Sequence, residues 1–335
     1  MKHSSKLSTI VKHLKALDEG KSDETVFTDT TFFHGETADI VLPNTLFRGA
    51  LESYPLTPWA LSQACQKVGT IPVRYARECP GWLLAENLNH WRKQLPEDRK
   101  WFLRFNNGEC RGILSDRYSP LANSELAQYL LDQFGDGYDI VRPYYDADTL
   151  HLKFITMADP DDDAYAYGVY VGNGEVGNRS LTVAGFVQRH SCTNSIVLTD
   201  NRWRVTHVNK TKSEYLLTVR SWVAEAMQLS MDQRERLAEA ALEEVEDFSK
   251  VVERLCKQNG LTNEAKDNVL MGSEGQKTTM GLVNGLSWAA HQQEDPELQI
   301  DLESLAGKYL RYGLQGVEVR QPVTIHQLET QEEEV

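Results

Sequence analysis

The chain has 335 residues, 41% hydrophobic and 25% charged, which is enough apolar material for one large or two smaller packed domains and excludes global disorder. No apolar run approaches the roughly 18 residues that a bilayer span needs, and the five cysteines, odd in number and without a C-x-x-C pair, exclude a disulfide framework or a zinc ribbon. The net charge of −14 is uneven: residues 1–220 hold 25 Lys and Arg against 27 Asp and Glu, whereas residues 221–335 hold 10 against 22.

In chain order, Leu7, Ile10, Val11, Leu14 and Leu17 recur at helical period and predict an amphipathic helix over 5–17. The Thr-, Phe- and Val-rich stretch 25–49, broken by Gly35 and Pro43, predicts short strands. Thr57 before Pro58 is a helix cap followed by a first-turn proline, so a helix is expected to Val68, stopped by Gly69. Further helical pieces follow at 72–77 and 82–94. Asn106-Asn107-Gly108 is a hairpin turn between strands 101–105 and 110–114. A helix capped by Asn123 or Ser124 runs to Phe134.

A second hairpin is expected from 140–145 and 150–155. After the acidic stretch Asp159–Asp163, strands 165–171 and 181–189 alternate at period two around a connection holding Gly172, Gly174 and Gly177. Strands 195–198 and 203–208 follow. Two long helices, 213–229 and 231–257, and two shorter ones, 278–292 and 301–312, complete the chain before an acidic tail.

Helices, then meandering antiparallel strands, then helices make an α+β protein, not a doubly wound parallel sheet. The expected segments are a helix and extended arm over 1–50, an α+β core over 51–212, a helical region over 213–325 and a solvated tail over 326–335.

Motifs with chemistry are few. Gly272-Ser-Glu-Gly275-Gln276-Lys277-Thr278 lacks the glycine before lysine that a phosphate loop requires, and no strand is expected before it. Asp159-Pro-Asp161-Asp-Asp163 lacks the turn glycine and bidentate glutamate of a calcium loop. His190 and Cys192 have no second ligand cluster. Residues 60–77 have a faint helix-turn-helix pattern in which Arg74 and Arg77 would lie on the second helix. No nucleophile, base and orienting acid assemble, and no cofactor is implied. Glu175, in the glycine-rich connection, is a lone carboxylate that a general-base role would need.

The feature that points furthest is cationic and aromatic content among the strands. Arg111, Arg117, Tyr118, Arg179, Arg189, Arg202, Trp203, Arg204, Lys210 and Lys212 are the candidate nucleic-acid-binding residues. Four cations and no carboxylate fall between 201 and 213. Guanidinium and ammonium groups neutralise phosphates, and rings stack on unpaired bases.

The block Arg111-Gly-Ile-Leu-Ser-Asp116-Arg117-Tyr118-Ser-Pro120-Leu121 resembles the phage- and plasmid-like proteins grouped as domain of unknown function 932. So do Leu83-Leu-Ala-Glu-Asn87-Leu-Asn89-His-Trp91 and the run from Glu175-Val-Gly177 to Arg189, Cys192, Thr193 and Asn194. Thr278-Thr-Met and Asn284 agree more weakly. The resemblance spans roughly residues 45–300; Ser195 stands where the family often has glycine. It implies a mobile-element protein and supplies no reaction.

Taken with the cations, it leads to the expectation of a cytoplasmic protein, in a host cell if phage-encoded. That protein would bind or anneal single-stranded DNA in recombination, as a homo-oligomer and without a membrane partner. The alternative is a non-enzymatic interaction or anti-defence protein whose acidic helices meet a host protein. An enzyme using carboxylates such as Asp116, Asp161 or Glu175 with a metal ranks third.

Overall fold

Asn107 and Gly108 both adopt positive φ (48° and 83°), the geometry of a two-residue hairpin turn, and close β5 (Lys100–Asn106) onto β6 (Glu109–Ser115). β1 (Lys21–Phe27) adds to the other edge of β5, giving a three-stranded antiparallel sheet in the order β1-β5-β6. A second small sheet joins β2 (Phe32–His34), β3 (Asp39–Pro43) and β4 (Leu51–Tyr54). Both pack with α2 (Pro58–Gly69), α3 (Val73–Glu78) and α4 (Gly81–Arg92) around Phe33, Ile40, Ala64, Leu88, Trp101 and Leu103. The computed structural model describes residues 6–43, 51–69, 71–158, 165–189, 195–199 and 203–316.

The main sheet runs β12-β11-β10-β9-β7, with β8 on β9 and β13 on β11. Its members are β7 (Asp139–Ile140), β8 (Tyr144–Tyr145), β9 (Thr149–Ala158), β10 (Tyr165–Gly174), β11 (Leu181–Arg189), β12 (Ser195–Leu198) and β13 (Arg204–Val205). The strand expected over 203–208 is thus two residues long.

Helices cover both faces. Leu152, Phe154, Val169, Val171 and Val183 meet α1 (Leu7–Asp18), α5 (Asn123–Phe134) and α6 (Lys212–Met231). On the opposite face Tyr170, Ala184, Phe186 and Val197 meet Ile300 of α11 (Pro296–Tyr312). Every residue of β10 after Tyr165 is buried. Two glycines allow the helices to approach: Gly185 lies beneath the Ala226 carbonyl of α6, and Gly307 of α11 lies against the Val197 carbonyl.

The expected helix over 231–257 is two helices, α7 (Gln233–Leu242) and α8 (Phe248–Gln258). Between them the backbone turns away to pair with residues 277–279, through Val245 N–H to the Lys277 carbonyl and Thr279 N–H to the Glu243 carbonyl. Asp247 adopts a left-handed φ of 49° to restart the helix. α9 (Asn263–Gly272), capped by the Thr262 hydroxyl, is an addition to the expected elements, and α10 (Thr279–His291) is capped by Thr278. α11 begins five residues earlier than expected, at Pro296, with Asp295 as its cap.

The fold is α+β, with a helix at its start, antiparallel sheets in the middle and helices in the C-terminal part. Its apolar clusters do not follow the expected segments: Leu7–Leu14 share a core with residues 121–226, and strands β10 to β12 share one with α7 to α11.

Candidate nucleic-acid interface

Two of the distinctive sequence blocks, Arg111–Leu121 and Glu175–Gly177, meet in space. Glu175 follows β10 and is fully buried. Its carboxylate accepts from Lys21 Nζ (2.9 and 3.0 Å), Arg111 Nη2 (2.8 Å) and the backbone N–H of Asn123 (2.7 Å). Arg104 Nη1 lies 3.7 Å from it and donates to the Glu175 carbonyl at 2.5 Å, and the Tyr118 hydroxyl donates to that carbonyl at 2.7 Å.

The cations have further acids. Arg104 is bidentate to Asp23, Arg111 meets Asp148 at 2.7 Å, and Lys21 meets Asp18 at 2.7 Å. Burial raises the Asp148 carboxyl against the opposing pull of Arg111. Next to Glu175, the Val176 carbonyl accepts from Trp59 Nε1 and Gln63 Nε2, each at 2.9 Å.

The same carboxylate corrects an expectation about α5. Neither Asn123 nor Ser124 caps it. Asn123 is the first helical residue, its side chain accepts from Asn173, and Glu175 takes its backbone N–H from across the fold. A negative group at a helix N-terminus is favourable. With its oxygens held by two cations and a backbone amide and no exposed surface, Glu175 is a structural anchor and has no open face for proton transfer.

Placement of the ten candidate contact residues divides them. Arg111 and Trp203 are buried, and burial pushes the Tyr118 hydroxyl up, so these three face the interior and are corrected as surface contacts. The reason is satisfaction of charge and polarity: Arg111 serves Glu175 and Asp148, Tyr118 the Glu175 carbonyl, and Trp203 Nε1 the Glu225 carboxylate at 3.0 Å. Arg179 binds Glu297 and Asp301 of α11, so acids from the helical third occupy it.

Arg189 ends β11, half-buried opposite Tyr165, and Arg204 is exposed in β13. Arg117 and Lys210 are exposed on neighbouring loops, and Lys212 is exposed at the first position of α6. Asn209 N–H donates to the Arg117 carbonyl (3.1 Å), and Lys210 N–H to the Ser119 hydroxyl (3.0 Å). Lys212 pairs with Glu125. Arg202 lies outside the described residues, as do Asp159–Asp163, His190, Cys192 and Asn194.

A second polar layer lies between the sheet and α11. Lys153 and Glu303, both buried, form an ion pair, and Ser195 donates to Glu303 at 2.5 Å. His151 Nε2 lies 3.2 Å from Glu297 and Nδ1 2.8 Å from the Tyr170 hydroxyl. A carboxylate only accepts, so Nε2 carries the proton and Nδ1 accepts from Tyr170. Burial, aided by Arg179 and Lys153, pulls His151 down to about 3. All of these groups serve one another and hold α11 on the sheet.

Exposed aromatic surface lies elsewhere. Tyr75 of α3 and Trp82 and Trp91 of α4 are 44%, 56% and 44% exposed. Residues 67–93 hold five Lys and Arg against two Asp and Glu; Arg92 is buried, which leaves four cations against two exposed acids at the surface. In the sequence this corner is marked by the arginines at 74 and 77 and by the Leu83–Trp91 block. An apolar pocket of about 60 Å³ between α5, α6 and the sheet is lined by Leu130, Phe134, Phe154, Val223 and Met227 among others.

Among the described residues, no group of three or more His, Cys, Asp or Glu is placed to hold a metal ion, and no helix is long and apolar enough to cross a membrane. No family model, curated protein or solved structure matches the chain.

Proposed function

We propose that this chain is a nucleic-acid-associated protein that binds single strands, in keeping with the mobile-element character its sequence blocks suggest. The observation carrying this reading is segregation of charge. The α2–α4 corner concentrates cations and exposed rings, whereas 22 of the 49 acidic residues lie beyond residue 220. A local cationic surface can hold phosphates despite an acidic whole, because charges beyond about 10 Å are screened at ordinary salt. The cations of the strands are largely engaged: Arg104, Arg111 and Lys153 all pair with acids inside the fold.

Fluorescence anisotropy of the full chain with a labelled single-stranded oligonucleotide tests it. Binding that weakens as salt rises supports it, and no binding at low salt removes it. Sedimentation of the bound species tests association of several copies.

A second reading has one specific observation behind it. Leu242 is 85% exposed at the end of α7, followed by Glu243, Glu244, Glu246 and Asp247. An exposed apolar side chain followed by four acidic residues, of which Glu243 and Asp247 already pair with Arg236 and Lys250, suits a basic protein partner, the interaction alternative. Pull-down from host lysate with the wild-type chain and with Leu242→Asp separates it: a retained protein lost in the variant favours this reading.

A further inference from the structure

We infer that Trp91, Tyr75 and Asn87 form a stacking platform for an unpaired base of a single-stranded nucleic acid. The inference rests on the single-strand reading above and assigns it a site. Trp91 has one supported face. Three atoms of its indole, Cγ, Cδ2 and Cε3, each lie 3.3 Å from where a β-carbon on Gly69 would stand, so the ring lies broadside on the end of α2. Gly69 has φ +150°, a conformation that suits glycine, and its missing side chain lets the indole seat. The ring is nevertheless 44% exposed. With the Gly69 side covered, this exposed part of the ring is the surface on which a base would stack.

Tyr75 is tied to the same helix as Trp91. Its hydroxyl accepts from the Asn87 side-chain amide at 3.0 Å and from the Cys79 thiol at 3.4 Å. Asn87 and Trp91 are one turn apart on α4, and a helical side chain leans over the turn before its own Cα. Tyr75 is therefore held at Asn87, one helical turn from Trp91. Both rings are held before any ligand arrives, which lowers the ordering cost of binding. His90 meets the Trp91 indole edge-on at 5.3 Å.

Charge complementarity selects the partner. Arg74, with 91% of its side chain exposed, directly precedes Tyr75; Arg77 and Lys93 are exposed nearby in sequence. Arg74 shares Glu78 at 3.2 Å, an exposed pair too weak to withhold its guanidinium from a phosphate. Exposed rings with exposed cations close to them in sequence suit a chain of bases and phosphates. A duplex keeps its base faces stacked and cannot use the rings, so single strands are favoured.

The test uses the full-length protein, a fluorescein-labelled oligothymidylate of about 20 nucleotides and a duplex of equal length. Trp91→Ala and Tyr75→Ala are each expected to weaken single-strand binding about 5- to 100-fold and leave the weaker duplex binding nearly unchanged. Trp91→Phe, which keeps a ring, retains most of the affinity. Far-UV circular dichroism checks folding, and Tyr75→Ala keeps the idea testable if Trp91→Ala does not fold.

Unchanged single-strand affinity in folded variants overturns the platform and leaves the single-strand reading standing. Equal losses on single strand and duplex overturn stacking in favour of charge alone. A wild-type chain that ignores both probes overturns the reading and the platform together. If it does so while self-associating through a face that Trp91→Ala abolishes, that surface belongs to a second copy.

Discussion

Arg111 and Glu175 stand 64 positions apart in sequence and meet as a buried ion pair at 2.8 Å. Arg111 lies on β6, in the sheet packed with α2 to α4, and Glu175 leaves the end of β10 in the main sheet. The pair and its partners therefore tie two layers of the fold that share no strand.

Removing that carboxylate's charge leaves Lys21 and Arg111, both nearly buried, facing a neutral group. Breaking a buried pair from one side costs about 3–5 kcal/mol. Glu175→Gln is expected to lower unfolding free energy by that amount in urea titrations, and Glu175→Ala by at least as much. A loss under about 1 kcal/mol would show the pair to be open to solvent.

Lys153 and Glu303 make a cleaner case because they chiefly satisfy each other. Lys153→Met or Glu303→Leu alone strands a charge and should cost about 3–5 kcal/mol. Together they replace two buried charges by apolar groups of similar size, and most of the loss should return. A double-mutant cycle measures this. Additive losses would show that the two residues do not share one interaction.

Two buried histidines set an acid-side dependence. Burial, with Arg104 adding to it and a backbone hydrogen bond from the ring to Ser119 opposing it, pulls His207 down to about 4. His151 is pulled down to about 3. Unfolded, each titrates near 6.5. Between about pH 6.5 and pH 4 the unfolded chain binds protons at these sites that the native chain refuses. Stability therefore falls as pH drops, by about 1.4 kcal/mol per unit for each fully depressed histidine, and neither contributes to pH dependence above about 7. His207→Phe keeps a ring between those of Tyr118 and Tyr215 and removes the titrating nitrogens. It should reduce the slope between pH 5 and 6.5 by about half, read from denaturation midpoints; an unchanged slope assigns the protons elsewhere.

Local patterns in the sequence were enough for most elements, because their signals are local. Asn106-Asn107-Gly108 demands a hairpin turn, and Thr57-Pro58 demands a helix start, whatever surrounds them. The break at Glu243–Asp247 was not legible, because helical period runs through it and the competing partner, residues 277–279, is distant in the chain. The candidate site failed in the same way. Arg111 and Tyr118 look like surface groups in a linear reading, and only the fold shows that Glu175, remote in sequence, draws them inward. Cation content in strands carries no information on which face a helix will cover. Here helices cover both.

Gly307 sets two opposing effects against each other. It sits inside α11, where alanine is preferred over glycine by about 1 kcal/mol on propensity alone. A β-carbon there would stand 2.2 Å from the Val197 carbonyl oxygen, and that atom is backbone in β12, unable to swing aside. Overpacking of this kind costs about 1–3 kcal/mol or more. Gly307→Ala should therefore destabilise, with contact outweighing propensity, and the loss should exceed about 1 kcal/mol. Gly137 is the matched control: nothing lies within 4 Å of a β-carbon there, and its backbone is outside the left-handed region. Gly137→Ala should be neutral or stabilise by up to about 1 kcal/mol, because it reduces the freedom of the unfolded chain. Thermal unfolding of the two variants beside wild type gives both signs. A stabilised Gly307→Ala would mean that α11 can lift from β12 at little cost, contrary to the buried Lys153–Glu303 pair holding it there.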